Sequence, residues 1–437
     1  MANTKVTRSQ STAGNRNKWT FSAWVKRATT GAEEVILSVY YDASYYTEIG
    51  FTAGDQINFF DLYNGALNGR RRTNALARDC NGWWHIVGVF DKDNSTTDEK
   101  IRLWVNGVKI EGALAAQQQS SINYSSNLNS AGQTVTLGAK NNASYFNGIM
   151  SHVHFCDGYA YDASYFGSTD STTGEWKINT SPSVSYGTQG YHILKDGNSV
   201  TDQSPNTNNF TVGGGTLTKT EDNPSNVFAI LNSITPSSNN NRAGGTRHFN
   251  NSGTYDMRHS TLAVTTGKYY AEFKITQMSG GFTQVGIQDT TQFDDYMFMT
   301  NSSRGYGYLK DGNKRNASSI SSYGDTFTTG DIIGVAVDLD NNKLYFSKNG
   351  VWQNSGDPTS GATGTGSAFD IADGYDYCIA TSSNDAGTDQ ETDVNFGNGY
   401  FGSTQISSAG TNASGNGIFE YDVPTGYTAL STKGLNL

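Results

Sequence analysis

The residues able to do chemistry in this 437-residue chain are scattered, and their spacing argues against most reactions. Glycoside hydrolysis needs two carboxylates facing each other across a sugar. The nearest pair is Glu391 and Asp393, in Glu391-Thr392-Asp393-Val394-Asn395-Phe396. An E-x-D-x-x-E strand would end on a further acid, and Phe396 stands in its place. The stretch Asp91 to Glu99 offers oxygens to a calcium ion, but it has no glycine at the sixth position and Arg102 at the twelfth. It reads as a solvated acidic hairpin loop. His152 and His154 share one strand face, yet no third ligand falls in register, so a structural role is expected. Cys80, Cys156 and Cys378 are far apart and lack CxxC spacing, which gives neither a disulfide framework nor a zinc site. Gly213-Gly214-Gly215 lacks the spacing and following helix of a phosphate loop, and no G-x-S-x-G occurs. The expectation is no catalytic residue, no metal and no cofactor.

What remains suits binding. Tyr40, Tyr41, Tyr45 and Tyr46 flank Asp42-Ala43-Ser44. Aromatic rings can lie against sugar faces, so these tyrosines with Asp42 are the candidate glycan contacts. The plainer alternative is that half of them face the core and the rest are ordinary strand tyrosines. In the second half of the chain, Asp294, Asp295, Tyr296, Lys314 and Arg315 form a candidate partner surface on loop position alone. Arg70-Arg71-Arg72 is the one basic run and reads as a solvated loop.

Strands must position these groups. Trp19 to Arg27 alternates apolar and polar residues, as a strand with one buried face does. Val35 to Phe51 reads as a hairpin with the tyrosines around its tip. Residues 83–91, WWHIVGVFD, are apolar on both faces, which predicts a central strand of a packed sandwich. Asn106-Gly107 supplies the following turn, since a type I′ turn needs positive φ at both central residues. The pattern then repeats: DIIGVAVDLDNNKLYFSKNGVW at 331–352 also runs from an apolar strand through spaced aspartates to Asn-Gly-Val. Asp338 and Asp340 read as strand-end residues satisfying the adjacent turn. Each copy is expected to be the central hairpin of its own antiparallel sandwich, with a boundary in the polar tract 236–245.

Composition agrees with an all-β chain. There are 25 Tyr, 21 Phe and 50 Gly, only 16% charged residues, and little sustained helical periodicity. A net charge of −10 argues against affinity for nucleic acid, which requires a basic surface. No apolar run approaches a membrane span, so no membrane insertion is expected. The first residues lack the apolar core of a secretory signal, so synthesis in a cytoplasm is expected.

The second half resembles a SPRY domain through Gly267-Lys268-Tyr269-Tyr270-Ala271-Glu272, Val285-Gly286-Ile287, Gly305-Tyr306-Gly307-Tyr308, Phe346-Ser347-Lys348-Asn349-Gly350 and Val394-Asn395-Phe396-Gly397. The first half is similar to concanavalin A-like sandwiches of the laminin G type through Trp19 to Val25, Trp84-His85-Ile86-Val87, Leu103-Trp104-Val105-Asn106-Gly107 and Gly148-Ile149-Met150. The tandem also resembles tailed-bacteriophage structural proteins, through Cys156-Asp157-Gly158-Tyr159-Ala160, Phe166-Gly167, residues 202–210 and Tyr421 to Tyr427. These likenesses imply two antiparallel, jelly-roll-like β-sandwich domains in tandem. They would comprise a concanavalin A-like module over 1–180, closing strands and a connector over 181–235, and a SPRY-like module over 236–437. They further imply a non-enzymatic virion protein, a short fibre or a tail or capsid appendage. It would bind other virion proteins and a host surface glycan or protein, and assemble as a homo-oligomer. The alternatives are a purely structural decoration or adaptor protein, a cellular SPRY adaptor, and a polysaccharide-degrading enzyme.

Overall fold

The structure is a computed structural model, and it describes residues 3–80, 82–111, 122–195, 199–232, 241–242, 245–251, 255–278, 281–292, 302–384 and 389–436. Among these residues the regular elements are β-strands and short 3-10 turns, with no α-helix. The chain divides into two compact units, Met1–Lys219 and Thr220–Leu437. The stretch read from sequence as a connector is thereby split. Tyr191–Ile193 and Thr211–Gly214 pair into sheets of the first unit, whereas Phe228, Ala229 and Leu231 are buried in the second.

In chain order the strands of the first unit are β1 (Lys5–Ser9), β2 (Lys18–Arg27), β3 (Glu34–Asp42), β4 (Tyr45–Phe51), β5 (Gln56–Tyr63), β6 (Ala66–Leu76), β7 (Trp84–Asp91), β8 (Ile101–Val105), β9 (Val108–Lys109), β10 (Thr134–Leu137), β11 (Gly148–Asp157), β12 (Gly167–Thr169), β13 (Trp176–Ile178), β14 (Tyr191–Ile193) and β15 (Thr211–Gly214). Among the described residues one sheet runs β15-β1-β10-β3-β4-β5-β6 and another runs β14-β11-β2-β7-β8-β9. Every pairing within these two sheets is antiparallel. The core between them holds Trp19, Phe21, Ala23 and Val25 of β2 against Ile49 and Phe51 of β4 and Ile57 and Phe59 of β5. Trp19 lies 5.3 Å from Phe59 and 5.7 Å from Phe90, ring centre to ring centre. The alternation read from 19–27 sets which side chains of β2 enter this core, but the strand is buried on both faces, Thr20, Ser22, Trp24 and Lys26 included, and not on one alone as the sequence suggested.

Strand β7 is buried on both faces. Ile86 and Phe90 enter the main core, while Val87 and Val89 pack outside it with Trp104, Cys156, Ala163 and Phe166. The cover is the chain from Tyr159 to Tyr186, including the β12–β13 hairpin, which lays Trp176 and Tyr186 against this second cluster. His85 sits beneath it, fully buried. The Trp176 indole N–H donates to His85 Nδ1 at 2.9 Å, which leaves Nε2 to donate to Ser22 Oγ at 2.9 Å. Burial drives the His85 pKa down to about 3, so the ring is neutral.

The second unit repeats this plan. Among its described residues, Lys268–Gln277 lies between Ile332–Asp338 and Gln390–Asn395 in one sheet. A second sheet places Phe282–Asp289 between Tyr377–Asn384 and Gly305–Leu309. Ile333, Val335 and Val337 face the main core, while Ala336, Tyr270 and Tyr345 face a second cluster with Phe419, Val423 and Tyr427. The segment carrying Phe419 to Tyr427 is latched by Glu272. Its buried carboxylate accepts the backbone N–H groups of Glu420 and Tyr421, both at 2.8 Å. Asp338 and Asp340 serve the turn and its surroundings: Asp338 accepts from Asn341, and Asp340 accepts from Gly267 N–H at 2.7 Å.

The two Asn-Gly turns are built alike. Asn106 and Gly107 have φ of 47° and 78°, and Asn349 and Gly350 have 48° and 81°. Asn106 Oδ1 accepts His85 N–H at 2.7 Å, and Asn349 Oδ1 accepts Ile332 N–H at 2.8 Å. In both, an aromatic ring from the covering segment closes on the glycine. A Cβ at Gly107 would lie 2.4 Å from Trp176, and one at Gly350 would lie 2.6 Å from Tyr421. Each glycine is thus fixed by its left-handed backbone and by the ring above it. Gly107→Ala and Gly350→Ala are each expected to destabilise their own domain by about 1–3 kcal/mol, read as a fall in that domain's denaturant midpoint.

Candidate functional site

The sequence candidates at the tip of the β3–β4 hairpin separate onto two surfaces. Asp42 Oδ1 accepts the N–H groups of Ser44 and Tyr45 at 2.7 and 3.1 Å, so Asp42 shapes the turn. None of the four tyrosines is buried: Tyr41 is 65% exposed and Tyr40, Tyr45 and Tyr46 are half-buried. Tyr40 and Tyr46, cross-strand partners, stand on the face of the seven-stranded sheet turned away from the core. Tyr46 continues to Phe60 of β5 at 5.3 Å. Tyr41 and Tyr45 form a different row, 6.3 Å apart and edge-on, which continues to Tyr63 at 5.2 Å and then to Tyr124. Tyr63 and Tyr124 are stacked, with centres 4.0 Å apart and planes 7° apart.

Tyr41 and Tyr45 of this second row line a recess of ≈ 210 Å³ together with Val39, Asn127, Ser130 and Gln133. Aromatic side chains thus face the Gln133 amide and the Ser130 hydroxyl, which can both donate and accept hydrogen bonds, while the amino group of Asn127 is turned into the fold. Its far wall is chain from outside the hairpin, held by a buried polar node. Asn68 Nδ2 donates to Asp61 at 2.7 Å and to the Tyr124 carbonyl at 3.0 Å. Asn68 Oδ1 in turn accepts the N–H groups of Asn123 and Tyr124. Thr47 and Ser126 also donate to Asp61, and Asn127 donates to the Leu62 carbonyl at 2.9 Å. Sequence reasoning found Tyr41 and Tyr45 and missed Tyr63, Tyr124 and Asn127. Nothing local marks them: Tyr63 arrives through the pairing of β5 with β4, and Asn68 and Asp61 hold Tyr124 and Asn127 against the sheet.

A larger groove, ≈ 320 Å³, lies on the outward face and is lined among others by Glu33, Tyr46, Glu48, Phe60, Arg72 and Lys140. Two carboxylates meet here, but Lys140 Nζ sits between them, 2.8 Å from both Glu33 and Glu48. Burial raises the Glu48 pKa despite Lys140. Burial would also raise that of Glu33, but hydrogen bonds from Lys140 and Ser144 outweigh it and hold this carboxyl below its usual range. The ammonium fills the space between the acids, an ion triad in place of an open acid–base pair.

Three sequence readings are corrected or relocated. Arg70-Arg71-Arg72 is strand, not loop, and lies within β6. Arg71 points inward, donating to the Ile101 carbonyl at 3.0 Å and the Asp98 carbonyl at 2.7 Å, while Arg72 lines the outward groove. Lys314 and Arg315 are also strand residues, in Asn313–Asn316. Lys314 donates to the Ala368 carbonyl and lies near the rings of Tyr323 and Phe369, so its ammonium is engaged within its own unit. Arg315 Nε donates to the Ala317 carbonyl at 2.9 Å. Asp294, Asp295 and Tyr296 lie outside the described residues. His152 occupies a bulge in β11 with φ of 48°, and His154 stacks on His192 at 3.8 Å. Among the described residues no three ligating side chains are arranged to hold a metal ion.

Comparison with known proteins matches part of each half. Residues 2–164 match the Laminin_G_3 family of the concanavalin A-like lectin/glucanases superfamily, and residues 268–370 match the SPRY domain family. The chain carries a concanavalin A-like domain and a SPRY domain. No curated protein matches it. Among solved structures it is similar to the SPRY domain of human HERC1, with 18% identity, 38% of this chain and 96% of that one covered, and a TM-score of 0.31. It is also similar to a heptameric SAP-like pentraxin from Limulus polyphemus, with 14% identity, 49% and 90% covered, and a TM-score of 0.30.

The Asp61 node gives the concanavalin A-like domain a testable pH dependence. Burial raises the Asp61 pKa to about 6, against the hydrogen bonds from Thr47, Asn68, Asn127 and Ser126. In the unfolded chain it returns to about 3.9. The folded state therefore binds the extra proton between these values. The stabilisation is fully present below about pH 4 and is lost as pH rises through about 6, amounting to about 3 kcal/mol at most. In Asp61→Asn this part of the slope should vanish, as measured by denaturant unfolding of the domain across that window.

Proposed function

We propose that this protein is a non-enzymatic binding protein whose concanavalin A-like domain holds a glycan in the tyrosine recess. The observation that carries this reading is Tyr41 and Tyr45 lining a recess with the Gln133 amide and the Ser130 hydroxyl, the aromatic row continuing beyond it to Tyr63 and Tyr124. Sugars present apolar C–H faces and a rim of hydroxyls. Rings with amide groups match both, and tyrosine loses little conformational freedom on contact. The ion triad around Lys140 supports a binding role over hydrolysis, because it leaves no carboxylate pair facing open space in the groove.

The second domain is proposed to dock a protein partner. The sequence likeness of residues 156–160, 202–210 and 421–427 to tailed-phage proteins supports placing the molecule in a virion, as a short fibre or appendage that contacts a host surface. Repetition in a homo-oligomer would raise the avidity of a shallow site.

A glycan array probed with the full chain tests the reading. Tyr41→Ala and Tyr45→Ala are each expected to weaken binding by about threefold to tenfold, following ~0.5–1.5 kcal/mol per aromatic contact. An array with no bound glycan, together with particles that fall apart when the protein is absent, would favour a purely structural decoration instead.

A further inference from the structure

The tyrosine recess is lined by no carboxylate, lysine or arginine, in contrast to the outward groove with its Glu33, Glu48 and Lys140. Its polar groups are neutral, and three of them are not spent within the fold. Asn127 is only 7% exposed, and its amino group is turned inward to the Leu62 carbonyl at 2.9 Å. Its Oδ1 accepts no hydrogen bond from the described residues. Ser130 and Gln133 stand at the two ends of a turn closed by the Gln133 N–H on the Ser130 carbonyl at 3.4 Å. Neither side chain has a hydrogen-bond partner among the described residues. A nearly buried acceptor without a partner costs free energy until a donor reaches it. Tyr41 and Tyr45 stand at 84° to one another with ring centres 6.3 Å apart, so they make a corner and not a flat platform. Val39 adds an aliphatic side chain to the lining.

We propose that this recess takes a neutral sugar bearing an acetamido group, a 2-acetamido-2-deoxyhexose. The inference rests on the reading that the recess holds a glycan, and it names the class. An acetamido group is a planar trans amide, so its N–H and C=O point in opposite directions and need separate partners. Asn127 Oδ1 is the acceptor for that N–H, its orientation fixed by the bond to the Leu62 carbonyl. Gln133 Nε2 and the Ser130 hydroxyl are the donors for the C=O. The sugar ring lies against one tyrosine, and the acetyl methyl enters the corner toward the second ring and Val39. A plain hexose puts a hydroxyl into that corner. A free amino sugar brings an ammonium that finds no carboxylate in the lining.

The test is calorimetric titration of the full chain with sugars that differ only at C2. One set is chitotetraose, its fully deacetylated form and cellotetraose, and the other is N-acetylgalactosamine and galactose. The acetamido member of a set is expected to bind about tenfold more tightly, as two added hydrogen bonds allow. Gln133→Ala should remove most of that advantage and keep the wild-type melting temperature, since this side chain bonds to nothing in the fold. Gln133→Glu, which loses the donor and adds a carboxylate, should shift preference toward the deacetylated form. Equal binding within each set, or preference for the hydroxyl member, would overturn the proposal and leave the glycan reading intact. Tightest binding of the deacetylated form by the wild-type chain would overturn the neutral assignment. If neither set binds, a glycan array decides: bound glycans that share an acetamido group uphold the proposal, and bound glycans that all lack one overturn it. An array with no bound glycan removes the glycan reading itself.

Discussion

A strand that is apolar on both faces cannot rest at the surface of a two-sheet sandwich. Strand β7 is such a strand, with Ile86 and Phe90 on one side and Val87 and Val89 on the other. Its counterpart Ile332–Asp338 turns Val335 and Val337 inward and Ala336 outward. Each domain meets the constraint in the same way, by laying a later stretch of chain over the outer face. The cover brings large side chains, Phe166 in the first domain and Phe419 in the second, each worth about 1.5–3 kcal/mol when buried. It also encloses polar groups that must then be satisfied, which explains the paired bonds of His85 and the latching carboxylate of Glu272. The left-handed glycine of each Asn-Gly turn gives the covering ring its seat.

With its second sheet sealed in this way, the concanavalin A-like domain presents the outer face of the seven-stranded sheet to its surroundings. The two aromatic rows follow from strand geometry. Tyr40 and Tyr41 are neighbours in sequence and so point to opposite sides, and the same holds for Tyr45 and Tyr46 across the turn. One hairpin tip therefore serves both a recess at the sheet end and a groove on its face. The recess depends on a carboxylate, Asp61, that is costly to bury and is retained with four hydrogen-bonding neighbours. Such a node fixes the loop bearing Tyr124 and Asn127 against the sheet, so that the rings beside the recess keep their places.

The groove shows how one strand can divide like charges between separate tasks. Arg71 is spent on the carbonyls of Ile101 and Asp98, while Arg70 and Arg72 emerge beside aromatic and acidic neighbours. Lys140 holds two acids together. Three consecutive arginines are therefore compatible with a folded strand, because alternation sends the middle one to backbone acceptors and separates the outer two by a full strand repeat.

The sequence by itself determined the elements whose cause is local. The strand at 83–91 that is apolar on both faces, its counterpart at 332–338 and the positive-φ demand met by Asn106-Gly107 and Asn349-Gly350 all reappear as read, whereas the strand at 19–27, read with one buried face, is covered on both. The division into two sandwiches also reappears, because each hairpin carried its own alternation. Tertiary structure alone decided what depends on distant partners. The arginine run looked like a solvated loop, since consecutive charges offer no local reason for a strand, and only pairing with β5 supplies one. Lys314 looked available until the Ala368 carbonyl reached it. The tyrosine row was half legible, since Tyr41 and Tyr45 lie together in the chain. Tyr124 joins them through hydrogen bonds to Asn68, 56 residues away, and no periodicity in a sequence records a contact of that kind.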